Sequence, residues 1–201
     1  MDFELKYKKK IVAVEFRDIF TKSEIDTIMG VLLFKSDYEW DIDRYFSTMI
    51  FSNGWKRNYK PDNKSPPDNL IKKNREIFNL IEVRMRDIVR TLISKKLLTD
   101  LMVPDYWNCK LYDNGEDCLE AIDERESRDL HEDSPTFNIH FGSRKTRINK
   151  LSSEKNVSIQ NVKSGSVVVV LDKKYGYIVP TCDTPKIHIH MIGNIIKKRY
   201  Y

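Results

Sequence analysis

Three of the four histidines stand where a metal ion or an anion could be held. His188 and His190 belong to the stretch Lys186-Ile187-His188-Ile189-His190-Met191-Ile192, and His140 belongs to Thr136-Phe137-Asn138-Ile139-His140-Phe141. Both stretches alternate polar and apolar residues. An extended backbone therefore puts Lys186, His188 and His190 on one face of its strand, and Thr136, Asn138 and His140 on one face of another. Imidazole is a common ligand for zinc, iron and copper. The acidic run Glu120-Ala121-Ile122-Asp123-Glu124 supplies carboxylates, so His140, His188 or His190 with Asp123 or Glu124 form a candidate metal set. A phosphate would also suit such a face. The ordinary reading of His-x-His on a strand is different: partly exposed residues, hydrogen-bonded to their neighbours. His131, in Leu-His-Glu-Asp, reads as a solvated loop residue.

A second kind of chemistry lies in cations interleaved with aromatic rings. Lys6-Tyr7-Lys8-Lys9-Lys10 and Trp55-Lys56-Arg57-Asn58-Tyr59-Lys60 combine phosphate-binding charge with rings on which a base can stack. A third basic cluster closes the sequence, Lys197-Lys198-Arg199-Tyr200-Tyr201. Solvated termini and a loop would explain the same residues equally well. Nucleophilic chemistry has little support. No Gly-rich phosphate loop, Gly-x-Ser-x-Gly or His-Glu-x-x-His occurs. Cys109 paired with His188 is conceivable, but a thiol on a strand is more often a small core residue.

The elements that must position these residues can be read from periodicity. Residues 11–16 form a short apolar strand. Thr21-x-x-Glu24 is a capping box that opens a helix running to about Leu33. Asn53-Gly54 and the span Pro61 to Pro67 mark turns. From Asp68 to about Leu98, the residues Leu70, Ile71, Phe78, Ile81, Met85, Ile88, Val89, Leu92 and Ile93 keep helical spacing, which predicts a long amphipathic helix with at most one break. After Pro104 the pattern shortens to strands over 107–112, 117–122, 135–142, 144–149, 157–161, 166–171, 175–179 and 185–193. Helices followed by several short strands predict an α+β domain, a sandwich or jelly roll buttressed by helices. The apolar faces of 136–141 and 186–192 should pack on the helices. The polar faces should meet inside the mouth of the sandwich or face water.

Bulk properties limit the partners. A chain of 201 residues, 40% apolar and 11% aromatic, suits one globular domain with a sizeable core. Net charge is +5 with 32% charged residues, which permits a nucleic-acid partner without demanding one. No apolar run is long enough to span a membrane, and Met1-Asp2-Phe3-Glu4 does not read as a signal peptide. The three cysteines, Cys109, Cys118 and Cys182, show no zinc spacing, so an intracellular protein, cytoplasmic or nuclear, with reduced thiols is expected.

The order of motifs from about residue 50 to 193 resembles the AlkB-type iron(II)/2-oxoglutarate dioxygenases. Tyr112-Asp113-Asn114-Gly115-Glu116-Asp117 leads into the acidic run and then into Ser134-Pro135 and the strand ending Phe141-Gly142. Trp55 to Tyr59 and the helix leading to Tyr106-Trp107-Asn108 are similar to the family's substrate-recognition lid and pre-core helix. Val162-Lys163-Ser164-Gly165-Ser166-Val167-Val168-Val169, Tyr177-Ile178-Val179-Pro180 and Lys186 to Ile192 follow in the family's order. The resemblance implies an α+β, double-stranded β-helix (jelly roll) core with the N-terminal helices packed on one sheet. It implies a single AlkB-like domain over 1–201, with 1–104 a helical part and lid and 105–201 the β core. In that family His-x-Asp and a distal histidine hold iron, and arginine holds 2-oxoglutarate. Here Ala121-x-Asp123, or Ile122-x-Glu124, stands in the first place, Tyr177 in the second and Lys186 in the third. Ile192 replaces the second arginine and Lys110 a cosubstrate asparagine, while Tyr112 is kept.

One carboxylate without imidazoles would bind iron weakly, and Lys186 lacks the bidentate fork of arginine. The first expectation is therefore a catalytically degenerate domain with no cofactor that binds nucleic acid or protein. Trp55, Lys56, Arg57, Tyr59 and Lys60 would form the nucleic-acid groove. Tyr112, Asp123, Glu124, His140, Tyr177, Lys186, His188 and His190 would line the former pocket. The second expectation is an active demethylase-like enzyme with re-sited ligands, requiring iron(II) and 2-oxoglutarate. The third is a purely protein-binding module, such as a viral host-interaction protein; separately, a composition rich in Lys, Asn, Ile and Asp suits an AT-rich genome such as that of a large DNA virus, which bears on origin and not on mechanism.

Overall fold

The computed structural model describes residues 2–34, 41–42, 47–52, 75–104, 106–112, 134–142, 144–150, 156–178 and 188–195. Within them the chain forms eleven strands and two helices: β1 (Phe3–Tyr7), β2 (Lys10–Phe16), α1 (Lys22–Phe34), β3 (Asp41–Ile42), β4 (Ser47–Ser52), α2 (Arg75–Ser94), β5 (Tyr106–Tyr112), β6 (Thr136–Phe141), β7 (Arg144–Lys150), β8 (Asn156–Val162), β9 (Val167–Val170), β10 (Tyr175–Ile178) and β11 (His188–Asn194). The first hundred residues are thus not only helical. Among the described residues they contribute four strands: β2 covers the strand expected over 11–16, while β1, β3 and β4 have no counterpart among the expected strands. β1 alternates Phe3, Leu5 and Tyr7 with Glu4 and Lys6. Its lysines made it read as a charge cluster, whereas period two makes it a strand.

The basic stretch 6–10 is the tip of a hairpin. Lys8 and Lys9 have φ of 47° and 68°, and Tyr7 pairs with Lys10 across them. This is the primed two-residue turn that matches strand twist, built here without glycine. Tyr7 packs edge-on against Tyr175 at 6.1 Å, and Lys10 pairs with Asp172 at 2.8 Å. Two members of the cluster are thus committed to structure.

The helices form where capping and spacing place them. Thr21 and Glu24 close the expected box: the Thr21 amide donates to Glu24 Oε2 at 2.7 Å, and the Glu24 amide to Thr21 Oγ1 at 3.3 Å. α2 buries Phe78, Ile81, Met85, Ile88, Val89 and Leu92, all on the predicted stripe. Fully burying such a side chain contributes about 1.5–3 kcal/mol. The helix stops at Ser94, four residues before the expected end. Lys96 turns left-handed (φ 58°), the Leu97 amide reaches Leu92 O, and the Lys96 amide reaches Ile93 O, a Schellman cap.

Two antiparallel sheets follow from the pairing. The large one has eight strands in the order β1-β2-β9-β6-β11-β5-β4-β3, and the small one has the order β10-β7-β8. Alternation gives the large sheet two buried faces. Val14, Phe16, Phe137, Ile139, Phe141, Trp107, Cys109, Val167, Val169, Ile189 and Met191 share a core with α1 and α2. Val12, Ala13, Val168 and Val170, on the opposite face, share a core with Ile148, Val162 and Tyr175 of the small sheet. Cys109 therefore belongs to the helix-side core, away from the face that carries His140 and His190.

Candidate functional site

The pairing of β6, β11 and β5 sets a row of polar residues in register. His190 of β11 lies opposite His140 of β6 on one side and Lys110 of β5 on the other. One step along, Ile192 lies opposite Asn138 and Asn108. His188 lies opposite Tyr112. Cross-strand partners share a face. Asn138 also pairs with Val168, whose side chain belongs to the core between the sheets. The row therefore lies on the face turned toward the small sheet. The space between the sheets is apolar under β2 and β9, while the same face of β6 and β11 carries buried polar side chains.

The side chains at its centre are sealed from water. Asn138 is 1% exposed, His140 0% and His190 2%. This corrects the ordinary reading of partly exposed strand histidines; of the two outcomes for the polar faces, the interior one holds here. Burying polar groups requires partners. Asn138 Nδ2 donates to Val168 O at 3.1 Å and to Thr136 O at 3.4 Å. Those two carbonyls fix the amide orientation and turn Oδ1 to His190 Nε2, 3.0 Å away. Oδ1 can only accept, so Nε2 of His190 carries a proton. The imidazoles of His140 and His190 stack, with centroids 4.7 Å apart and planes 11° from parallel.

The turn before β9 anchors this row. Gly165 N donates to His140 O at 2.7 Å, and His140 N donates to Ser166 O at 3.1 Å. Gly165 has φ +81°, and a Cβ there would lie 2.8 Å from Ile25 Cδ1 and 3.1 Å from Phe20 O. Ser164 Oγ accepts from Gly142 N at 2.9 Å. Lys163-Ser164-Gly165-Ser166 thus ties the end of β6 to α1 and to the start of β9.

The stack bears directly on metal binding. An imidazole ligates through an in-plane lone pair at about 2.0–2.1 Å for zinc. Two rings lying nearly parallel, one over the other, send their lone pairs side by side and not to a common point. Among the described residues no group of three His, Cys, Asp or Glu side chains could hold a metal ion. His140 and His190, two members of the re-sited set, are therefore brought together as a stack. Asn138, seen in the sequence only as a residue on the same face, is the hydrogen-bonding centre of the site. Period two was the signal that placed it there.

The other expected site residues divide by location. Tyr112 and His188 face one another in the β5–β11 register, and Tyr177 lies in β10 opposite Ile148 of β7. Asp123, Glu124, Lys186, Trp55, Lys56, Arg57, Tyr59 and Lys60 lie outside the described residues, as do His131, the strand expected over 117–122 and the C-terminal basic cluster.

No helix among the described residues is long and apolar enough to cross a membrane. No family model and no curated protein matches the chain. Solved structures do. OsALKBH1 superposes with a TM-score of 0.63 at 13% identity, covering 94% of this chain and 100% of that one. The viral collagen prolyl hydroxylase vCPH from Paramecium Bursaria Chlorella virus-1, in complex with 2OG, gives 0.56 at 12% identity, covering 93% and 97%. A Pseudomonas putida prolyl-4-hydroxylase gives 0.53 at 10% identity, covering 94% of each chain. The chain therefore has the fold of the iron(II)/2-oxoglutarate oxygenases, an AlkB homologue among them.

Proposed function

We propose that this chain is a double-stranded β-helix domain of the AlkB-like kind that has given up metal chemistry and serves as a binding module, with nucleic acid as its partner. The strand path supports the fold reading. From β6 onward the chain visits the large sheet, the small sheet twice, the large, the small and the large again. The helices fit as the layer covering the outer face of the large sheet, since both share its core cluster.

The observation that carries the functional reading is the buried His140–His190–Asn138 group. Iron(II) in this chemistry takes two imidazoles and a carboxylate on one face, with positions left open. The two buried imidazoles stack on each other, and His190 bonds Asn138 through Nε2. At the positions given by the resemblance the donors are Asp123 or Glu124 and the phenol of Tyr177, with Lys186 for the cosubstrate. That donor set does not fit iron(II) and 2-oxoglutarate. Trp55, Lys56, Arg57, Tyr59 and Lys60 supply the nucleic-acid groove in this reading, with cations on phosphate and rings under bases. Among the described residues the exposed large apolar side chains, Phe3, Val83 and Leu101, sit on three different segments, which argues against a broad apolar docking patch there.

Two measurements test the reading. Elemental analysis, with thermal shift against manganese(II), zinc(II) and 2-oxoglutarate, should give no stoichiometric metal and no stabilisation. One metal per chain with a shift on adding 2-oxoglutarate would establish the enzyme alternative. Binding to a single-stranded oligonucleotide should weaken with salt. The Lys56/Arg57/Lys60→Ala change should lower the log–log salt slope by about 2, at roughly 0.7 per phosphate contact. An unchanged slope would remove the groove assignment. Absence of oligonucleotide binding altogether would leave the protein-partner alternative.

A further inference from the structure

β1 is the terminal strand of the large sheet, and among the described residues no strand pairs with its outer edge. Such an edge presents unpaired amides and carbonyls and is a template for another strand. We propose that it pairs with the same edge of a second copy of this chain, antiparallel, about a two-fold axis through Leu5.

The sequence of β1 is complementary to its own reverse. With the axis at Leu5, Glu4 stands opposite Lys6 of the second copy and Lys6 opposite its Glu4, while Phe3 stands opposite Tyr7. Every cross-strand pair is then oppositely charged, aromatic or aliphatic, the combinations that stabilise an antiparallel ladder. The arrangement is isologous, as a two-fold dimer requires.

The backbone phase agrees. Lys8-Lys9 is a two-residue turn, so its closing pair Tyr7 and Lys10 bond to each other. Alternation along β1 then directs the amides and carbonyls of Leu5 and Phe3 toward β2, and those of Lys6 and Glu4 outward. The register irregularity at Leu5/Lys6 skips Val12, placing the extra residue in β2 and leaving β1 regular. The outward groups of Glu4 and Lys6 are the ones that a two-fold axis at Leu5 brings into hydrogen-bonded pairs.

The side chains have the required exposure. Phe3 is 40% exposed, unusual for an aromatic strand residue beside a core. Lys6 and Glu4 form an ion pair at 3.0 Å within the chain, with 58% and 31% of their side chains exposed. Pairing with a second copy exchanges that contact for two equivalent ones between chains. A lysine on an edge ordinarily blocks strand addition; here an identical edge brings Glu4 to meet it. Five-residue strands bury less than the roughly 1,200 Å² of stable interfaces, so the dimer should be weak.

Sedimentation equilibrium of the full chain up to about 1 mM tests this. The wild type should show a concentration-dependent monomer–dimer equilibrium. Glu4→Lys or Lys6→Glu alone puts like charges opposite one another twice and should raise the Kd about tenfold. The double exchange Glu4→Lys/Lys6→Glu should restore association. Phe3→Ser, an uncharged probe, should weaken it. The changes fall at exposed Phe3 and Lys6 and at half-buried Glu4, and an unaltered melting temperature will show that the monomer stays folded. A chain that is monomeric throughout overturns the proposal. So does a dimer indifferent to the single reversals, or one that the double exchange does not rescue.

Discussion

His140 and His190 stand opposite one another on neighbouring strands, with ring centroids 4.7 Å apart and planes 11° from parallel. The stack is held from one side by Asn138, whose Oδ1 accepts from His190 Nε2. Asn138→Leu keeps the volume but strips that acceptor and the donor to Val168 O. Leaving a buried group unsatisfied costs about 1–3 kcal/mol. The variant should lose roughly 2 kcal/mol, or about 4–8 °C in Tm for a chain of this size. Thermal melts of Asn138→Leu, His190→Leu and the double variant should show coupling of about 0.5–3 kcal/mol. Strict additivity would mean that the two side chains do not act together.

Gly165 holds the backbone of His140 from the other side. Its positive φ and the 2.8 Å approach of Ile25 Cδ1 leave no room for a methyl group. Gly165→Ala should cost about 1–3 kcal/mol from left-handed strain, with the contact to Phe20 O adding to it. Urea denaturation should show a lower midpoint with an unchanged m-value.

Gly193 is tight for a different reason. It lies opposite Trp107 in the β5–β11 register, and a Cβ would sit 2.6 Å from Trp107 Cζ3 and 3.0 Å from Pro104 Cβ. Trp107 is 1% exposed and cannot move outward. Gly193→Ala should therefore destabilise by about 1–3 kcal/mol through overpacking. Trp107 fluorescence should shift in the folded state, where Gly165→Ala leaves it unchanged.

The capping box gives a pH dependence. The Thr21 amide foremost, and Arg84 beside it, hold the Glu24 carboxyl below the usual glutamate range, against the opposing effect of burial. A depressed folded-state value means stability that is present above the unfolded value of about 4.3. It is lost as pH falls through the lowered folded value. Glu24→Gln keeps a residue that can close the box but removes the charge, and should cost about 0.3–1 kcal/mol at neutral pH, with the difference from wild type shrinking in acid. A difference that persists undiminished at low pH would assign the effect to packing and not to charge.

Local order was legible in the sequence because it depends on spacing. Thr21 and Glu24 announced the start of α1, and the stripe from Phe78 to Leu92 announced the buried face of α2. Period two placed Asn138 and His140 on one face, and His188 and His190 on another. The early stop of α2 was not legible, since Lys96 carries no sign of a left-handed cap, which glycine usually fills. β1 was hidden for a similar reason: its lysines dominated a pattern whose period was that of a strand.

Tertiary structure alone decided what those faces meet. Alternation states which residues share a face, but not which strand lies alongside or whether the face is wet. Only the order β9-β6-β11-β5 brings His140 beside His190, fifty positions away in the chain, with Asn138 within hydrogen-bond reach. Burial then turns the polar faces of two strands into one bonded group of Asn138, His140 and His190. Strand pairing is non-local, set by how whole faces complement one another, and that complementarity is not written in the spacing of any one segment.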